Sequence, residues 1–180
     1  RLSSAICEVA GLDAETSADA IRAAHFAKAD LVSGAVIEFT SQQGVMGAYY
    51  AKAAGEHEDV AIAMSDHYRP RFAGDELPRN IAGCVVADKL DTIAGMFAID
   101  EPPTGSKDPF ALRRSAIGIL NILREKLHIG YEELVPVALE AYAEQGIEFD
   151  AGAVCASVCA FIKGRLEQMA RDEKIDADTV

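Results

Sequence analysis

Residues 103–116 read PTGSKDPFALRRSA. A Gly-Ser-Lys turn runs into Asp108 and Pro109, and apolar residues then recur at Leu112, Ala116, Ile119, Leu120, Leu123 and Leu127. That spacing predicts an amphipathic helix over 109–127. Asp108 is a good N-cap, and Pro109 suits the first helical position. A nucleotide P-loop is not supported. It needs a longer glycine loop with Gly-Lys-Ser/Thr after a strand, whereas the order here is Gly-Ser-Lys after two prolines.

Arg113 and Arg124 lie off the apolar face. They are eleven residues apart, so on one continuous helix they project in nearly the same direction, about 16 Å apart. With Arg114 and Lys107 they make a basic strip at a helix N-terminus, a setting that suits phosphate. The plain alternative is a set of solvated side chains.

The neighbouring chain repeats the helical pattern. Helices are predicted over 2–10, from a cap at Ser17 through Ile21, Ala24, Leu31, Val32 and Ala35, and over 42–54, 58–67, 79–97, 131–145 and 152–170. Prolines and glycine in YRPRFAGDELP (68–78) and DEPPTG (100–105) interrupt the series. No segment shows sustained period-two alternation, so the fold class is all-α.

Composition narrows the function. Half of the 180 residues are apolar, which argues against disorder. The net charge of -12 repels polyphosphates at long range. It is uneven: residues 107–126 sum to +3, from five basic and two acidic side chains, while residues 132–150 carry six acids and no Lys or Arg. The four cysteines, Cys7, Cys84, Cys155 and Cys159, form no CxxC and have no nearby His pair. Reduced thiols in a cytosolic protein are expected rather than a zinc site. No apolar run is long enough to cross a bilayer, so no membrane partner is expected.

Two charges sit awkwardly in this pattern. Lys28 falls within the apolar stripe around Ala24 and Leu31, where an ammonium must snorkel or find an anion. Asp88 lies in AGCVVADKLDTIAGMF (82–97), with Asp91 close to the same side. Two carboxylates there need a cation, a metal or exposure. Lys28 with Asp88 is the pairing to examine first. His25, His57 and His128 read as packing or surface residues, whereas His67 precedes the proline-rich loop.

Four stretches together resemble a known family: AKADLVSGAVIEFTSQQGVMGAYYA (27–51), HYRPRFAGDELP (67–78), ADKLDT (87–92) and PTGSKDPFALRR (103–114). In that order they are similar to the β subunit of the bacterial heterotetrameric glycyl-tRNA synthetase. A weaker echo, FIKGRLEQMARDEKIDADTV (161–180), resembles the entry to that subunit's anticodon-binding region. The resemblance implies an internal fragment of a longer subunit, in keeping with a first residue, Arg1, that is not Met.

The resemblance also implies an HD-type helical bundle over 1–128, followed by a helical extension over 129–180. Working HD enzymes hold a metal with a first-helix His, a His-Asp pair and a later Asp. Here Ala27 and Lys28 stand at the pair, Ser3 or Ser4 at the first His, His67 at an additional His and Asp88 at the last Asp. A degenerate site of Lys28, His67, Asp88 and Asp91 is expected, with no metal and no catalytic residue. Lys28 would supply the positive charge that a metal no longer does.

For function, the resemblance implies a cytoplasmic ligase in which the α subunit carries ATP- and Mg-dependent glycine activation and the β subunit supplies most tRNA recognition. The implied partners are the α subunit, tRNA-Gly and the rest of the β subunit, and no cofactor is expected in this fragment. Lys107, Arg113, Arg114 and Arg124 are the candidate tRNA contacts, with Arg69 and Arg71 second, because guanidinium suits phosphate. Three readings compete with these contacts. The arginines pair with the acidic stretch 132–150, the domain only bridges α and β, or it is a metal-dependent HD phosphohydrolase acting on a nucleotide.

Overall fold

The structure, a computed structural model, describes residues 1–72, 74–81 and 84–174, with the backbone alone for 84–86. The described residues are all-α, with no strand beyond an isolated bridge between Thr104 and Lys107. They pack as two compact units, Arg1–Asp88 and Lys89–Val180. The expected boundary after residue 128 falls inside the second unit.

The first unit contains α1 (Leu2–Val9), α2 (Ala14–Phe26), a 3-10 turn (Ala29–Val32), α3 (Gly34–Glu38), a second 3-10 turn (Thr40–Gln42), α4 (Val45–Ala53) and α5 (Glu58–Asp66). Helix α2 packs on α1 and α5, and α5 packs on α4. The faces that meet are built largely from small residues: Ala20 and Ala23 of α2, and Val60 and Ala63 of α5, are essentially inaccessible. Small side chains let helix axes approach closely, and dispersion contacts then replace long apolar side chains.

This differs from the expected stripe on α2. Ser17 is not the cap: Asp13 accepts the Thr16 N–H at 2.8 Å, and the Ser17 hydroxyl donates to the Leu12 carbonyl instead. The helix stops at Phe26, so Leu31 and Val32 are not on it, and Val32 is 84% exposed. Lys28 follows the break with φ 66, a left-handed conformation that ends the helical hydrogen-bond ladder.

Helix α6 (Cys84–Ala98) carries the chain from the first unit into the second. It begins later than expected because Arg79 and Asn80 are committed to Asp66 and Asp59 in the first unit. Residues 82 and 83 of the expected helix lie outside the described residues. The second unit adds α7 (Leu112–Ile122), a π-helical turn (Leu123–Leu127), α8 (Tyr131–Ala143) and α9 (Ala151–Asp172). Both α7 and α8 pack on α9. All six apolar positions read from the opening stretch are buried. Ile93, Leu112, Ile119, Leu134 and Ile162 are at most 1% exposed, and such a residue contributes roughly 2 kcal/mol by burial.

Asp108 does hold the start of α7, but one turn later than expected. Its two carboxylate oxygens accept the N–H groups of Leu112 and Arg113 at 2.8 and 3.0 Å. Ala111 then enters the helix from a left-handed conformation, φ 54, so Pro109 stands before the helix rather than in its first turn.

Candidate functional site

Two places in the chain carry the expected site residues, one in each unit. In the first, Lys28 Nζ lies 2.6 Å from Asp88 Oδ1. The left-handed turn at Lys28 places the side chain there, not a helical stripe. The ammonium-bearing side chain is 42% exposed and the carboxylate 26%, so water shares the charges. At that exposure the pair contributes about 0.5–1 kcal/mol, far below the cost of an isolated buried charge.

His67 is buried at the end of α5, where its Nδ1 lies 2.8 Å from the Met64 carbonyl oxygen. Its ring lies against Tyr68, with centroids 3.8 Å apart. Gln43 bonds the Tyr68 hydroxyl, which brings the 3-10 turn before α4 to the same place. Of Ser3 and Ser4, the two positions read for the first-helix His, Ser3 is buried and donates to the Ala20 carbonyl at 3.5 Å, and Ser4 is exposed. Asp91 belongs to the second unit, where its carbonyl accepts from the Tyr142 hydroxyl at 2.9 Å and its side chain is exposed. These side chains make a poor donor set for a divalent ion: an ammonium holds the candidate carboxylate, and the expected ligand positions include Ala27 and Ser3 or Ser4.

Two buried carboxylates beside this place were missed in the sequence. Asp30, 3% exposed, accepts the N–H groups of Gly44 and Gly47 at 2.7 and 3.1 Å and so anchors the start of α4. Asp66 has no exposed surface. It receives the Arg79 backbone N–H and two guanidinium donors, each at 2.9 Å, and Arg69 Nε lies 3.6 Å away. Burial pushes the Asp66 carboxyl up, but the Arg79 hydrogen bonds outweigh that and hold it below the usual carboxylate range. The spacing Val60, Ala63, Asp66 is helical, so the signal for a buried carboxylate was present. Asp30 has no such local signal, since its partners lie 14 and 17 residues on.

The second place is the basic strip, and the structure takes it apart. Helix α7 gives way to a π turn at Leu123, and Arg113 and Arg124 are held by different partners. Arg113 turns back to the Gly105 carbonyl at 2.8 Å and lies 3.9 Å from Asp108. Arg124 bonds both carboxylate oxygens of Glu173 at 3.0 and 3.1 Å, and Glu125 at 3.5 Å. Glu125 and Glu173 both lie outside 132–150. Arg69 and Arg71 are likewise engaged, with Glu76 at 2.6 Å and Asp75 at 3.1 Å. Lys107 and Arg114 are exposed, on the turn and in the first turn of α7. The Lys107 backbone is fixed by paired hydrogen bonds with Thr104 at 2.8 and 3.1 Å.

His57 is exposed but not idle. Its Nδ1 lies 2.7 Å from Asp19 Oδ2, and that bond, with the charges of Asp19, Asp59 and Glu15, raises its pKa. Asp19, His57 and Asp59 bring ligand-type atoms within 4.8 Å of one another. No such group of three among the described residues includes His67 or Asp88. Cys7, Cys155 and Cys159 are free thiols, and burial, with Cys155 beside it, pushes Cys159 up to about 11. The Cys84 side chain lies outside the described residues. No helix of the described residues is long and apolar enough to cross a membrane.

Comparison with known proteins places these features in a family. The whole chain, residues 1–180, matches the family model described as glycyl-tRNA synthetase beta subunit. The chain is 51% identical over 162 residues to the glycine–tRNA ligase beta subunit of Thiobacillus denitrificans, covering 88% of this chain and 22% of that protein. It is 46% identical over 183 residues to the subunit of Clostridioides difficile, covering 100% of this chain and 26% of the relative. The Escherichia coli O1:K1 subunit is 44% identical over 164 residues, covering 89% of this chain and 23% of the relative. The chain thus spans about a quarter of the length of these relatives.

Proposed function

Because the chain belongs to the glycyl-tRNA synthetase β subunit family, we propose that it is a helical module of glycine–tRNA ligase that supports subunit architecture and tRNA binding and has no chemistry of its own. The observation that carries this reading is the Lys28–Asp88 ion pair at 2.6 Å. In this reading the protonated amine stands where an HD-type phosphohydrolase would hold its metal. ATP, Mg and glycine activation belong in this reading to the α subunit, and no step of theirs runs through these residues.

Most of the candidate arginines favour the architectural part. Guanidinium groups already bonded to Glu173, Glu76, Asp75 or Gly105 hold turns and helix ends together. Lys107, on the turn braced by Thr104, and Arg114, in the first turn of α7, both expose their side chains, and this reading assigns them to tRNA phosphate.

The test is charge reversal in the assembled enzyme. Lys107→Glu combined with Arg114→Glu is expected to weaken tRNA binding at least tenfold and to leave ATP-dependent glycine activation unchanged. Unchanged tRNA affinity would remove tRNA contact and leave a purely bridging module. Nucleotide phosphohydrolysis by the chain, with stoichiometric Mn or Fe, would overturn the reading altogether.

A further inference from the structure

The first unit leaves an unusual amount of apolar surface in one stretch of chain. Val32, Ile37, Phe39 and Tyr49 are 84, 67, 62 and 66% exposed. Within this stretch, α4 and α5 form a concave site. They are joined by the short turn 54–57 and run antiparallel, with Gly44 packed beside Ser65. Between them lies a groove of about 370 Å³ whose apolar lining is Val45, Ala48, Tyr49, Ala61 and Ile62. Val45, Ala48, Tyr49 and Lys52 follow helical spacing, as do Glu58, Ala61, Ile62 and Ser65, so each helix offers one ridge.

The Arg79 guanidinium, already bonded to Asp66, lines the groove with Ser65, and Lys52, Glu56 and Glu58 complete the polar lining. Two parallel ridges about two turns long match the side of a third helix. The complementary helix carries apolar residues at i, i+3 or i+4 and i+7.

We propose that this groove seats an amphipathic helix from the part of the β subunit outside these 180 residues. The inference rests on the reading of the chain as one module of a longer subunit, and relatives are about four times as long. Size selects this occupant. A stable association of separate chains buries about 800 Å² on each side, and a groove lined by ten residues along two helical turns offers far less area than that. A tethered helix meets no such requirement, because linkage supplies a high effective concentration. A nucleic acid does not suit an apolar floor flanked by Glu56 and Glu58.

Hydroxyl-radical footprinting of Tyr49 and Ile62 decides the matter. The 180-residue chain is compared with a full-length β subunit containing it, each without α subunit or tRNA. At least a fivefold slower oxidation of both residues in the full subunit is expected, with no dependence on protein concentration. Ala48→Glu in the full subunit is expected to restore the fast rate while leaving the thermal melt of the 180-residue chain within 2 °C. Equal rates in the two proteins would overturn the proposal. So would protection that appears only with α subunit, only with tRNA, or only as the 180-residue chain is concentrated, each of which names a different occupant. Loss of tRNA affinity on charge reversal at Lys107 and Arg114 is read separately, so either result can fail alone.

Discussion

Arg79 and Asp66 form the most consequential pair in the chain, although neither stands out as a site in the sequence. Asp66 is fully buried, and three donors from one residue satisfy it. Arg79→Met leaves the backbone donor but strands much of the charge, which costs about 3 kcal/mol at pH 7. The deficit shrinks in acid. The folded pKa of Asp66 is depressed, so its contribution is present above the unfolded value, about 4, and is lost as pH falls through the lower folded value. Urea unfolding of both proteins at pH 7 and near pH 3 checks this, and an equal deficit at both would contradict it. The Lys28–Asp88 pair behaves differently, because both side chains reach water. A double-mutant cycle with Lys28→Met and Asp88→Asn is expected to give a coupling of about 0.5–1 kcal/mol. Neither single change should unfold the chain, and a coupling of zero would dissolve the pairing.

The starts of four helices among the described residues are held by aspartates that precede them. Asp13 caps α2, Asp150 caps α9, and Asp30 reaches α4 from 14 residues earlier. Asp108 is the clearest test, since its two oxygens each accept an N–H at the start of α7 while Arg113 ties the preceding turn to the same place. Asp108→Ala is expected to destabilise the chain by about 1–2 kcal/mol, with Asp108→Asn recovering roughly half. Chemical denaturation measures both, and amide exchange should rise first at Leu112 and Arg113. In the π turn after Ile122 the apolar positions stay buried, and Arg124 bonds Glu173 while Arg113 bonds Gly105, so a strip continuous on paper is divided between two sets of partners.

Taken whole, the chain carries a net charge of -12, and it satisfies many of its cations internally. Polyanion binding by such a molecule depends on a few exposed groups, not on a broad field. Charge reversal at Lys107 and Arg114 should therefore lower the salt dependence of tRNA affinity by one or two counterions. Arg124→Glu should instead act through stability, because it removes the bonds to Glu173. Titrating salt for both variants in the assembled enzyme separates the two effects. The periodic apolar residues determined the all-α class, most helix bodies and the buried face of α7, because burial of a helical stripe needs only local spacing. Four ordered stretches carried the family. Tertiary structure alone decided where α2 stops, that Asp30 is buried and which partners the candidate arginines take. Those outcomes depend on partners brought together from distant parts of the chain, such as Asp30 with Gly47 or Arg124 with Glu173, and no local period encodes a partner that far away.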